Sequence, residues 1–283
     1  MKTQGHPRGR RGRVAGPWLV LLGALALIVL LRALSGDVGA RGTTRVDTLR
    51  FRLEGGEGQL LPVWEPLLAR ALALADEVDV RDRAAVDDLA ATVAALPFVA
   101  EVGLAEVLWP DGISLPLRLH SPVACLRQGD DYLLVSETGT LLPGAFFAPP
   151  AVGAGYLPVL GPSLLGPPPE VGAPLTDPRL RAAFETALSL WQHLSPEDLA
   201  SLGACVIDGT FLADPAGEHG GLRLELEERR VVLWGRPPAS GEPGELPVAI
   251  KWKHLEKGLE HLDKGADWSL WDVRWDVPEW VPR

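Results

Sequence analysis

Apolar and polar positions alternate with two different periods along this chain, and the change of period marks its elements. Leu49, Phe51 and Leu53 stand two apart, the spacing of a strand over 46–53 that Gly55-Gly56 ends. A Leu- and Ala-rich run after Pro62 predicts a helix through Ala75. Val86, Leu89, Val93 and Leu96 put one apolar stripe on a second helix over 81–96, which Pro97 stops. Strand-like runs follow at 98–108 and 113–120, joined by Trp109-Pro110-Asp111-Gly112. In that turn Pro presets φ, Asp bonds its own backbone and Gly accepts positive φ. Pro116, inside the second run, predicts a sheet edge or a bulge. The first unit, residues 46–120, is thus strand-helix-helix-strand-strand, enough to cover one sheet face with two helices.

The character of the pattern changes from Pro122. Residues 132–142 read as a hairpin turning at Glu137-Thr138-Gly139-Thr140. Residues 143–178 hold 16 Gly and Pro in 36 positions, which predicts an irregular insert crossing the surface. Thr176-Asp177-Pro178 opens a helix with a capping side chain followed by proline in the first turn. Its apolar positions are Leu180, Phe184, Ala187, Leu188, Trp191 and Leu194. Strands are expected near 203–208, 222–228, 230–234 and 246–250, then a helix over 251–263 carrying Trp252, Leu255, Leu259 and Leu262. The clearest alternation closes the chain, with Trp271, Val273, Trp275 and Val277 facing inward and Asp272, Arg274 and Asp276 outward. The fold class is therefore α+β, with a second unit over 121–277 and a tail at 278–283.

Charge changes the picture at the N-terminus. The whole chain of 283 residues has 27 Lys+Arg against 37 Asp+Glu, a net of −10, which argues against a nucleic-acid binder. Yet residues 1–35 contain six basic residues and no acid. Between Arg13 and Arg32 run eighteen uncharged residues, about 27 Å of helix, close to the apolar thickness of a bilayer. The basic tail at 1–13 places the N-terminus in the cytoplasm and the rest of the chain outside it. This run is longer than the core of a cleaved signal peptide, so 14–34 reads as an uncleaved anchor rather than a leader ending at Val38-Gly39-Ala40. Residues 35–45 form a short polar tether.

Catalytic signatures are absent from the sequence: there is no nucleophile elbow, zinc-protease helix, phosphate-binding glycine loop or Cys-x-x-Cys. His254 and His261 lie seven apart, about 10 Å along a helix, too far to share a metal, and read as a solvent-facing stripe. Asp208 and Asp214 adjoin glycine or proline, where aspartate serves turns. Cys125 and Cys205 are either bridged or isolated buried thiols.

Taken in order, these segments resemble the FtsQ/DivIB family of bacterial cell-division proteins. Leu96-Pro97-Phe98-Val99 is similar to that family's Leu-Pro-Trp-Val segment, and Trp109-Pro110-Asp111-Gly112 to its Trp-Pro turn. Ser121-Pro122-Val123-Ala124 resembles its Pro-Val-Ala lead-in, and Leu133–Leu142 its following hairpin. Leu157-Pro158-Val159-Leu160-Gly161, Val232-Leu233-Trp234-Gly235 and Leu270-Trp271-Asp272-Val273-Arg274-Trp275 are similar to three further strand motifs. The chain departs from the family at Leu53-Glu54-Gly55-Gly56 and at Leu119-His120-Ser121, and its Pro-rich insert is longer.

The resemblance implies one transmembrane helix, a POTRA domain over 46–120 and a mixed α/β "β domain" over 121–277. It implies a non-enzymatic scaffold in the inner membrane at the division septum, its C-terminal domain periplasmic. Such a scaffold links early division proteins to septal peptidoglycan synthesis through FtsB- and FtsL-like partners, without cofactor or small-molecule substrate. The partner is expected to add a strand near the C-terminal end, at Trp271, Asp272, Val273, Arg274, Trp275 and Asp276. Arg274 is open between a partner contact and an ion pair within the chain. An alternative from another class is a POTRA-containing component of an export or outer-membrane assembly machine.

Overall fold

A computed structural model describes residues 48–283 except 54–59, 74–77, 110–111, 153–154, 164–166, 168, 215–219, 242–244 and 266. The basic tail and the anchor expected at 14–34 lie outside the described residues. Among the described residues no helix is long and apolar enough to cross a membrane. The architecture is mixed α+β, with two principal sheets.

The first sheet has β4 (Gly112–Leu119) at its centre. β1 (Thr48–Leu53) pairs parallel on one side; β2 (Val99–Val102) and β3 (Glu106–Leu108) pair antiparallel on the other. Two helices, α1 (Glu65–Ala73) and α2 (Arg83–Ala94), stand between β1 and β2 in the chain. The stripe on α2 buries Val86, Leu89 and Val93, and Asp82 caps it by accepting from the Ala84 and Ala85 amides. Pro116 therefore sits in the central strand and not at an edge. Its carbonyl accepts from Gly103 in the break between β2 and β3, so the proline's missing N–H falls where the neighbouring strand is interrupted.

The second sheet has nine strands in the order β15-β14-β13-β12-β11-β10-β5-β6-β7. They are β5 (Pro122–Gln128), β6 (Asp131–Ser136), β7 (Leu141–Phe146), β10 (Val159–Gly161), β11 (Val206–Phe211), β12 (Gly221–Glu225), β13 (Val231–Gly235), β14 (Trp268–Asp272) and β15 (Glu279–Pro282). Strands β8 (Ala151–Val152) and β9 (Gly155–Tyr156) form a small separate hairpin. The α-helices of the second unit among the described residues are α3 (Pro178–His193), α4 (Pro196–Leu202) and α5 (Val248–Asp263). As the sequence predicts, Asp177 caps α3 with Pro178 in its first turn.

Three expectations are corrected here. The Pro/Gly-rich stretch 143–178 is not a surface insert throughout: β10 lies inside the sheet, parallel to both β5 and β11. Residues 246–250 are not a strand, because α5 begins at Val248. The residues 278–283 are not a tail, because β15 is the sheet's outermost strand.

Two apolar clusters share this sheet. Ala124, Leu126, Val135, Leu141 and Leu160 join the cluster under α3 and α5. Their neighbours Cys125, Leu134, Leu142 and Val159 join the cluster built by Trp64, Phe98 and the first sheet. Successive residues in a strand point to opposite faces, so β5, β6, β7 and β10 are buried on both sides. Trp64 stacks on Phe98 at 5.1 Å and donates its indole N–H to the Pro143 carbonyl at 2.9 Å.

Candidate partner-binding edge

The nine-stranded sheet has two outer strands, and the chain treats them differently. The rim of β7 is covered at its start. Leu141 donates to Ala173 O and accepts from Gly172 N, Thr140 bridges Pro174, and Val63 packs on Gly144. At the opposite rim, no strand pairs beyond β15 among the described residues, and all four of its residues are exposed. An uncovered rim of this kind offers its main-chain donors and acceptors to a further strand.

A tryptophan floor supports that rim. Trp268 and Trp271 are buried, and their indoles donate to Gly258 O at 3.0 Å and His254 O at 2.9 Å on α5. Gly258 lets the ring lie this close, since a Cβ there would stand 3.0–3.2 Å from three Trp271 ring atoms. Trp280 on β15 pairs with Trp271 across the sheet, their ring centres 6.4 Å apart. His261 lies against both, at 5.5 Å and 6.2 Å.

The closing alternation breaks at Asp272, which corrects the expected strand over 271–277. β14 ends there, and the side chain of Asp272 is buried. Its carboxylate accepts from the Arg274 amide at 3.0 Å, from Arg274 Nε at 2.9 Å and Nη2 at 2.7 Å, and from the Trp275 indole at 3.2 Å. An aspartate that captures the N–H two residues on turns the backbone out of the ladder. Trp271 and Val273 face inward as expected. Asp272 does not face outward, and Trp275 does not face inward: it is 52% exposed. Asp276 is exposed. Arg274 takes the intramolecular pairing, and the Asp272 hydrogen bonds raise its already high pKa. The sequence pattern missed β15 as the outermost strand; Glu279-Trp280-Val281 is a short alternating run followed by Pro282.

Other candidates resolve into structural roles. Asp208 accepts from Thr210 N and Oγ1 at 2.9 Å and 2.6 Å, and Asp214 donates its amide to Phe211 O, so both serve turns. His254 is not solvent-facing; it is buried on α5, its Nδ1 unpartnered. Burial, then Lys257, lower its pKa against the opposing hydrogen bond to the Val273 backbone. Cys125 and Cys205 are free and buried, and burial pushes each thiol up to about 12. Val159 of β10 pairs with Cys125 on one side and donates to Cys205 O on the other. One intervening strand separates the cysteines by about 10 Å, beyond disulfide reach.

A cavity of about 220 Å³ lies beside β13 and the start of α5, lined in part by Trp234, Arg236, Glu245, Pro247 and Lys251. The buried Lys251 ammonium donates to Trp234 O at 2.8 Å and to Glu245, and lies over the Trp234 ring at 5.3 Å. Burial lowers its pKa against the pull of Glu245. Its donors are engaged within the chain, which makes it a structural ion pair. No group of three or more His, Cys, Asp or Glu that could hold a metal occurs among the described residues. Compared with models of known protein families, the chain matches none. No curated protein is significantly similar to it.

Proposed function

We propose that this chain is a membrane-anchored division scaffold of the FtsQ/DivIB kind, presenting the outer edge of β15 to an extended segment of a partner. The observation that carries this reading is the asymmetry of the large sheet: one rim is covered at its start by the chain's own segments, and among the described residues the other is open along its length beside exposed Trp275, Trp280 and Val281. The first unit's strand-helix-helix-strand-strand order supports a POTRA assignment. The eighteen-residue uncharged run behind a basic tail supports an anchor with its N-terminus in the cytoplasm. Partner binding then moves from the six residues at 271–276 to a surface centred on β15, with Trp275 beside it. Asp272 and Arg274 hold that surface in shape instead of touching the partner.

Strand addition draws affinity from main-chain hydrogen bonds and specificity from alternate side chains. On β15 these are Trp280, which shares a face with Trp271, and Val281 on the opposite face. The test is co-purification of the full chain from dividing cells, with a fluorescent fusion reporting its position. The wild type should collect at constriction sites and bring down small single-span membrane proteins. Val281→Asp should reduce their recovery about tenfold, the effect expected of an interface residue worth more than 1 kcal/mol. An even distribution around the envelope, with no such partner, would reject the reading.

A further inference from the structure

Ten tryptophans occur in the chain, and Trp109 is the most exposed of those described, at 66%. Its position in the fold gives that exposure a direction. Trp109 follows β3, whose last residue Leu108 pairs with Gly112, the first residue of β4. Gly112 also pairs in parallel with Thr48, the first residue of β1. Trp109 therefore stands at the pole of the first sheet where the chain enters from its N-terminal segment. β4 leaves that pole and ends at Leu119, from which the chain passes to β5, so the nine-stranded sheet is joined at the other end. Thirteen residues separate Leu34 from Thr48, a reach of about 44 Å at most.

We propose that Trp109 is a second membrane contact, its indole seated in the headgroup layer of the bilayer that residues 14–34 span. This rests on the membrane-anchor reading given above. Indoles favour that layer because one end of the ring is apolar and the other donates a hydrogen bond. Charge does not supply the attraction. Two residues inward, Arg50 pairs with Ser114 and Ser114 with Glu106, so the flanking charges are of opposite sign. Contact is therefore expected with zwitterionic lipid, without an anionic headgroup. The consequence is orientation: the first sheet's entry pole is held at the lipid surface, and the partner-binding edge is carried at a set height above it.

The test reconstitutes the full chain into phosphatidylcholine vesicles brominated near the glycerol backbone, where bromine quenches nearby indoles. The quenched emission of the wild type should exceed that of W109F by about one tryptophan's share, a tenth of the total. Because Trp109 is exposed, W109F should keep the wild-type thermal midpoint. Chain that resists alkaline carbonate extraction but shows equal quenching in both proteins would overturn the Trp109 contact alone. Chain that carbonate removes from the vesicles would overturn the anchor and this contact together.

Discussion

Asp272 governs the open rim at the scale of single residues, because one carboxylate ends β14, orders the bend that follows and neutralises Arg274. Both side chains of the pair are close to buried, at 7% and 10% exposure. Removing one partner of such a pair leaves the other charge without compensation, at a cost of about 3 kcal/mol. Asp272→Ala should show that loss in its denaturation midpoint, and should weaken partner binding through disorder of the bend. Arg274→Glu should also destabilise, which reverses what a purely partner-facing arginine would do. His254 supplies a pH signature. Its folded pKa lies below the ordinary 6.5, so the unfolded chain takes up the proton first. Stability is full above that ordinary value and declines as pH falls below it, until the folded pKa is passed. The groups facing the ring are Lys257 on its own helix and Asp276 with the Val273 backbone in the bend. His254→Gln should flatten the profile of unfolding free energy between pH 7 and 5, the range in which an ordinary imidazole titrates. An unchanged slope would remove His254 as its source.

Among the elements, β10 shows what a linear pattern cannot reveal. Three residues flanked by prolines have no period to read, and their place in the sheet is set by β5 and β11, residues distant in the chain. The helix α2 was legible because its stripe and cap are local, and α3 for the same reason. The start of α5 was obscured by Val248 and Ile250, β-branched residues that suit strands. At the site, alternation identified Trp271 and Val273 as core. It gave no warning that Asp272 would turn inward, because that depends on hydrogen bonds to residues the alternation places on a strand. Leu160, fully buried in β10, provides the check: Leu160→Ala should cost about 3 kcal/mol, whereas a surface loop would lose almost nothing. The thiols report the same strand. With both raised to about 12, Cys125 and Cys205 should resist alkylation at pH 8 in the native protein and react once it is denatured. Rapid labelling of either in the native chain would contradict the burial of β10 between them.

At the scale of the whole molecule the two sheets share one apolar core, because strands of the large sheet are buried on both faces. Trp64 is the clearest link, stacked on Phe98 and bonded to Pro143 in β7. Trp64→Ala should cost about 4 kcal/mol and lower the unfolding midpoint reported by both sheets. A loss confined to probes in the first sheet would mean that the sheets are not coupled through it. One rim of the large sheet is covered at its start by the chain's own segments, and the proposal that the other takes a partner strand is the central claim. Site-specific photo-crosslinking in dividing cells tests it most directly, with the probe at Val281 on the open rim and a control at Phe147, which is 92% exposed beyond β7. An adduct from position 281 to a small single-span coiled-coil membrane protein, absent from position 147, is the predicted result. Adducts from position 281 to an outer-membrane barrel protein, or equal adducts from both positions, would contradict it.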